Sequence, residues 1–147
     1  MKGSRSLLTA GVSFMLCVMP VKIVRAHHSF AAEFDENKPI TLRGTLTRME
    51  WVNPHGWIHM DVKQPDGTVV NWAIEAGAPN ALLRRGLRAS DFPAGIEVVV
   101  SGFRAKNGSN TANGRTVKLP DGREFFAGSS GTGAPGDGAE GRQPRAQ

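Results

Sequence analysis

Three stretches of this chain alternate apolar and polar residues, and each ends at a turn signal. In Ile40-Thr41-Leu42-Arg43-Gly44-Thr45-Leu46-Thr47 the apolar positions Ile40, Leu42 and Leu46 share one face. In Trp57–Lys63 the inward set is Ile58, Met60 and Val62, with Trp57, His59 and Asp61 pointing the other way. In Thr68–Glu75 it is Val70, Trp72 and Ile74. A period of two is the signature of a half-buried strand. After Leu46 the apolar positions change parity to Met49 and Trp51, as a bulge in a long first strand produces. Asn53-Pro54-His55-Gly56 and Pro65-Asp66-Gly67 supply the turns, so the three stretches form a meander.

The period changes at Ala78–Gly86, where proline near the start and glycine at the end mark one short helix. Gly95–Gly102 then reads as a β-branched strand. Thr116–Leu119, turned at Pro120-Asp121-Gly122-Arg123 into Glu124-Phe125-Phe126, supplies the last pairings. Three strands, a short helix, then two or three strands is the element order of an oligonucleotide/oligosaccharide-binding (OB) barrel. The expected fold is therefore mainly β: a small OB-like five- to six-stranded barrel with one short helix between strands 3 and 4.

The ends have a different composition. Lys2 and Arg5 precede an uncharged run from Leu7 to Met19, and a short segment ends at Val24-Arg25-Ala26. This pattern predicts a secretory signal at 1–26, cleavage after Ala26, a periplasmic or secreted product and no membrane anchor once the signal is cut. From Gly128 onward six glycines, two prolines and no large apolar residue predict a disordered tail at 128–147, leaving a barrel domain with an N-terminal arm at 27–127. The leader also accounts for the charge. Four of the 18 basic residues (Lys2, Arg5, Lys22, Arg25) lie in it, and without them 14 basic residues face 13 acidic ones. A nucleic-acid partner is not expected from so balanced a surface. Cys17, the one cysteine, falls in the leader, so disulfides contribute nothing to the mature fold.

The strings HHSFAAEFD at 27–35, KPITLRGTLTRMEWVNPH at 38–55 and VKLPDGREFFAGS at 117–129, with the single Trp72 after the Pro-Asp-Gly turn, resemble a family of small secreted bacterial proteins classed as a domain of unknown function. The resemblance implies a periplasmic location and a small β-barrel. It brings no activity and no catalytic residues.

All four histidines fall in two clusters, His27-His28 and His55/His59. With the signal cut after Ala26, the amine and imidazole of His27 can chelate one metal ion. An imidazole from His55 or His59 would complete an all-nitrogen set that favours copper, with zinc as the tetrahedral alternative. His55 and His59 stand four residues apart along a turn and a strand, about 13 Å in extended chain, so one of them is the expected ligand and the other a turn or solvent-facing residue. Trp57 shares the outward face with His59. It is a candidate platform for an oligosaccharide or a partner protein, unless Phe30 and Phe34 of the N-terminal arm lie across it. No serine or cysteine sits in a nucleophile motif, and Glu33, Asp35, Glu50 and Glu75 have no spacing that commits two of them to acid and base roles. The expected function is an exported binding module, metal-loaded through the histidines or metal-free and working through Trp57, rather than an enzyme.

Overall fold

The computed structural model describes residues 29–129 and 134–135. The expected leader, His27, His28 and most of the expected tail lie outside them. A one-turn helix α1 (Phe30–Glu33) leads into β1 (Phe34–Glu50), followed by β2 (Trp57–Lys63) and β3 (Val69–Glu75). Then come the short helix α2 (Pro79–Arg84), a 3-10 turn at Ala89–Asp91, and β4 (Glu97–Ala105), β5 (Thr111–Lys118) and β6 (Glu124–Phe126). The sheet order is β3-β2-β1-β4-β5-β6, and a β3–β5 pairing closes the ring. That closing pair is parallel, with Ile74 against Ala112 and Glu75 against Asn113. The neighbouring ladders are antiparallel. The OB-like barrel with its helix between strands 3 and 4 is thus the observed architecture.

β1 serves both sides of the ring because it is long and changes face once. Its first half pairs with β4 and its second half with β2, with a register shift between Leu46 and Arg48, where the parity of the sequence changes. Gly44 sits at the crossing: a Cβ there would stand 2.2 Å from the Asp61 carbonyl oxygen. Inside the ring, Leu46, Ile58, Met60, Val62, Trp72, Ile74, Val98, Val100, Ala112 and Val117 form one apolar cluster, capped by Leu82 and Leu87 from the helical segment. Val70 packs at its edge, only partly buried.

The boundaries depart from expectation in three places. β1 begins at Phe34, through Glu36-Asn37-Lys38-Pro39, where nothing alternates. β5 begins at Thr111, because Thr111–Gly114 is held between two neighbours rather than by its own apolar pattern. The expected end of the domain at Ala127 is too early. Gly128 and Ser129 are buried, and Ala134 packs on a second apolar cluster outside the ring. That cluster joins Phe30, Phe34, Phe103 and Ala105, with the Phe30 ring edge-on to Phe103 at 5.4 Å and stacked on Phe34 at 5.8 Å. The aromatic arm therefore covers β4 and not Trp57, which belongs to neither cluster.

Below the ring, Asp91 ties the 3-10 turn to the β5–β6 turn. It accepts from the Arg88 backbone N–H at 2.8 Å and from the Arg123 guanidinium at 3.0 Å. Burial pushes its carboxyl up, but these two donors outweigh it and leave the pKa below the usual value.

Candidate functional site around Trp57

One row of residues on the outer side of the ring crosses five strands of the barrel. Glu50 is opposite Trp57, Trp57 opposite Glu75, Glu75 opposite Asn113, and Asn113 opposite Phe103. Directly opposed residues share a face, so Trp57 is flanked by two carboxylates that are 25 positions apart in sequence. Each carboxylate holds one histidine.

On the β1 side, His59 Nε2 lies 3.2 Å from Glu50 Oε1 and 3.4 Å from an Arg48 guanidinium nitrogen, and Arg48 also pairs with Glu50. The bulge after Leu46 puts Arg48 opposite His59, so all three side chains stand together. Of the two alternatives for His59, metal ligand or solvent-facing strand residue, the second is not what stands here: its side chain is only 18% exposed and lies against this pair. Farther along the same face Asn71 donates to Asp61 at 2.8 Å.

On the β3 side the packing is tighter. The Asn53–Gly56 turn, with a cis Asn53–Pro54 peptide, is sewn to the chain after β3. Gly56 N–H donates to Gly77 O at 3.1 Å, and Ala76 N–H donates to Gly56 O at 2.8 Å. Gly77 N–H in turn donates to Ala127 O at 2.7 Å. Three backbone segments meet here because glycines line the junction. A Cβ on Gly77 would stand 2.8 Å from Gly128 O, and one on Gly56 would stand 3.2 Å from both Glu50 O and Gly77 O. The segment after β6 is held down further by Arg85, which donates to Gly128 O at 2.7 Å and stacks over Phe126 at 4.8 Å. Arg85, just after α2, thus clamps the segment that follows β6.

This junction sets His55 against Glu75, with Nδ1 3.5 Å from Oε1 and the side chains 14% and 10% exposed. Asn113 donates to the same Oε1 at 3.3 Å. Ser129 Oγ is 2.9 Å from His55 Nδ1 and donates to Ala76 O at 3.3 Å. Serine, histidine and glutamate meet here, but not as a hydrolytic relay. Such a relay needs the hydroxyl and the carboxylate on opposite ring nitrogens, whereas both approach Nδ1. The turn-residue expectation for His55, a bond to nearby backbone, gives way to partners 20 and 74 residues away.

The histidines of the second sequence cluster therefore differ in their contacts: His55 lies against Glu75 and Ser129, His59 against Glu50 and Arg48. Among the described residues no three His, Cys, Asp or Glu side chains are grouped so as to hold a metal ion. Residue type alone pointed to His55, His59 and Trp57. Ser129 was missed because it lies in the glycine-rich stretch, and Glu50 and Glu75 because only the strand register makes them neighbours of Trp57.

A family model described as a family of unknown function (DUF6152) matches residues 16–114. The chain belongs to that family. No curated protein and no solved structure matches this DUF6152 chain. The match covers both carboxylates, both histidines of the turn and β2, and Trp57; Ser129 and β6 lie beyond its end.

Proposed function

We propose that this protein is an exported binding module that takes an oligosaccharide on the outer face of β2 and β3, centred on Trp57. The observation that carries the reading is the placement of Trp57. It is a half-buried indole outside both apolar clusters, between Glu50 and Glu75 on the face that OB barrels use for ligands. An aromatic face packs against the C–H side of a sugar ring, while carboxylates, arginine and amides at its edge meet the hydroxyls. Glu50, Arg48, Asp61 and Asn71 supply that edge. An apolar docking surface for a protein is less well supported. The large exposed apolar residues among those described are Val52, Val69 and Leu83, on three different segments, with Val69 at the end of β3 away from Glu75. Among the described residues no helix is long and apolar enough to cross a membrane.

Calorimetric titration with soluble hexasaccharides (cellohexaose, chitohexaose, maltohexaose) tests this. At least one binds, and Trp57→Ala weakens it by about tenfold or more, the effect of removing a central aromatic anchor. Binding that survives Trp57→Ala unchanged, or no binding of any of the three, removes the reading.

A second reading is favoured by one observation, that each imidazole rests on a carboxylate. Ligating histidines are commonly oriented in this way. In that reading copper is held by the amine and imidazole of His27, beside His28, together with His55 or His59. Mature protein beginning at His27 then binds Cu(II) far more tightly than a form carrying one extra N-terminal residue. Equal affinities of the two forms exclude it.

A further inference from the structure

We propose that Ser129, together with Glu75, is a positioning residue that holds His55 as the Nδ1–H tautomer and so makes Nε2 its electron-pair donor. The argument is one of donors and acceptors. The Ala76 carbonyl oxygen can only accept, and Ser129 Oγ lies 3.3 Å from it, so the hydroxyl hydrogen points there. The Oγ lone pairs then face His55 Nδ1 at 2.9 Å, which must donate. The Glu75 carboxylate, 3.5 Å from the same nitrogen, also only accepts and favours the same proton, from a distance too long to fix it without Ser129. Asn113 Nδ2 donates to Glu75 Oε1 at 3.3 Å and holds that carboxylate in place. All four groups agree on one arrangement. With the opposite tautomer the carboxylate would face a lone pair inside a nearly closed site, an unmade bond of the costly kind.

The consequence concerns what His55 can recognise. In the neutral ring, whatever meets Nε2 meets it as a hydrogen-bond donor or a cation. A carboxylate behind the far nitrogen is also the arrangement that raises the basicity of a metal-ligating imidazole. The functional half of this proposal rests on the copper reading above; the tautomer half does not. Two residues from separate segments of the chain thus tune one ring: Glu75 from β3, and Ser129 from the segment clamped by Arg85.

The test separates the two halves. Nitrogen-15 shifts of the His55 ring in the metal-free protein read the tautomer directly. The expected result is Nδ1–H in the natural protein and in Ser129→Thr, which keeps the hydroxyl, and a mixture of tautomers in Ser129→Ala, with thermal melts confirming that each variant folds. An Nε2–H ring in the natural protein, or an unchanged tautomer in Ser129→Ala, overturns the positioning role. Cu(II) titration of the same proteins then gives about tenfold weaker binding or more for Ser129→Ala and near-natural binding for Ser129→Thr. Equal Cu(II) affinity in all three overturns the link to metal. If the natural protein binds no Cu(II), the copper reading falls, and the tautomer result stands on its own.

Discussion

Trp72→Ala lowers the stability of the barrel by about 3 kcal/mol, the lower end of the range for removing a large aromatic from a core. Trp72 is 6% exposed, packs in the ring with Met60 and Ile74, and has the Arg104 guanidinium 5.3 Å from its ring centre. Losing this volume leaves a cavity that a closed sheet cannot collapse to fill. The loss is moderated by one feature: the Trp72 indole N–H is buried without a hydrogen-bond partner among the described residues. An unmade bond of this kind costs about 1–3 kcal/mol, and truncation relieves it. Trp72→Phe, which removes the N–H but keeps a ring, therefore costs about 1 kcal/mol or less. In thermal melts the alanine variant loses about 12 °C or more, at roughly 4 °C or more per kcal/mol for a domain of this size. Equal melting temperatures for the natural protein and Trp72→Ala would mean that β3 has its faces reversed.

Gly102→Ala is the more severe change, and the site feels it. A Cβ at Gly102 would stand 2.0 Å from the Asn113 carbonyl oxygen and 3.1 Å from the Gly114 Cα. Both obstacles are backbone, so no side chain can swing aside. β4 and β5 must part at the point where their register already shifts, between Ser101 and Gly102. The expected cost exceeds about 3 kcal/mol, beyond ordinary overpacking. It draws Asn113 away from Glu75. Gly67→Ala is the control: nothing lies within 4 Å, and only the positive φ of 87° opposes a side chain there. That strain is about 1–2 kcal/mol. Chemical denaturation should rank the two variants in this order, and a Gly102→Ala protein as stable as Gly67→Ala would show that the strands separate at little cost.

These contrasts bear on what the amino-acid sequence discloses. Alternation in β2 and β3 was enough to sort Ile58, Met60, Val62, Trp72 and Ile74 inward and Trp57, His59 and Asp61 outward, because register is strongly specified where one face is buried. The parity change after Leu46 disclosed the bulge. The opening of β5 escaped notice for a physical reason. Thr-Ala-Asn-Gly has little strand character of its own, and its conformation comes from being gripped by β3 on one side and β4 on the other. The buried glycines misled in the opposite sense. Gly128 looks like the start of a flexible tail, yet it is glycine because the Phe126 ring and the Gly114 carbonyl leave no room for a Cβ. The candidate site was legible as residue types and not as pairs. Nothing local connects His55 to a serine 74 residues away.

That separation sets an order of events during folding. A ribosome or a translocation channel delivers the chain from its N-terminus, so β1, β2 and β3 are available to pair while β5 is still absent. The barrel stays an open curl until Thr111–Asn113 reaches the exposed side of β3. The contact between His55 and Ser129 forms only after that. Contacts this distant in sequence make for slow closure. The outer face of β2 and β3 is therefore assembled early and the His55–Ser129 contact last, and a chain clipped by a protease before Ser129 would keep its first three strands and lose that contact.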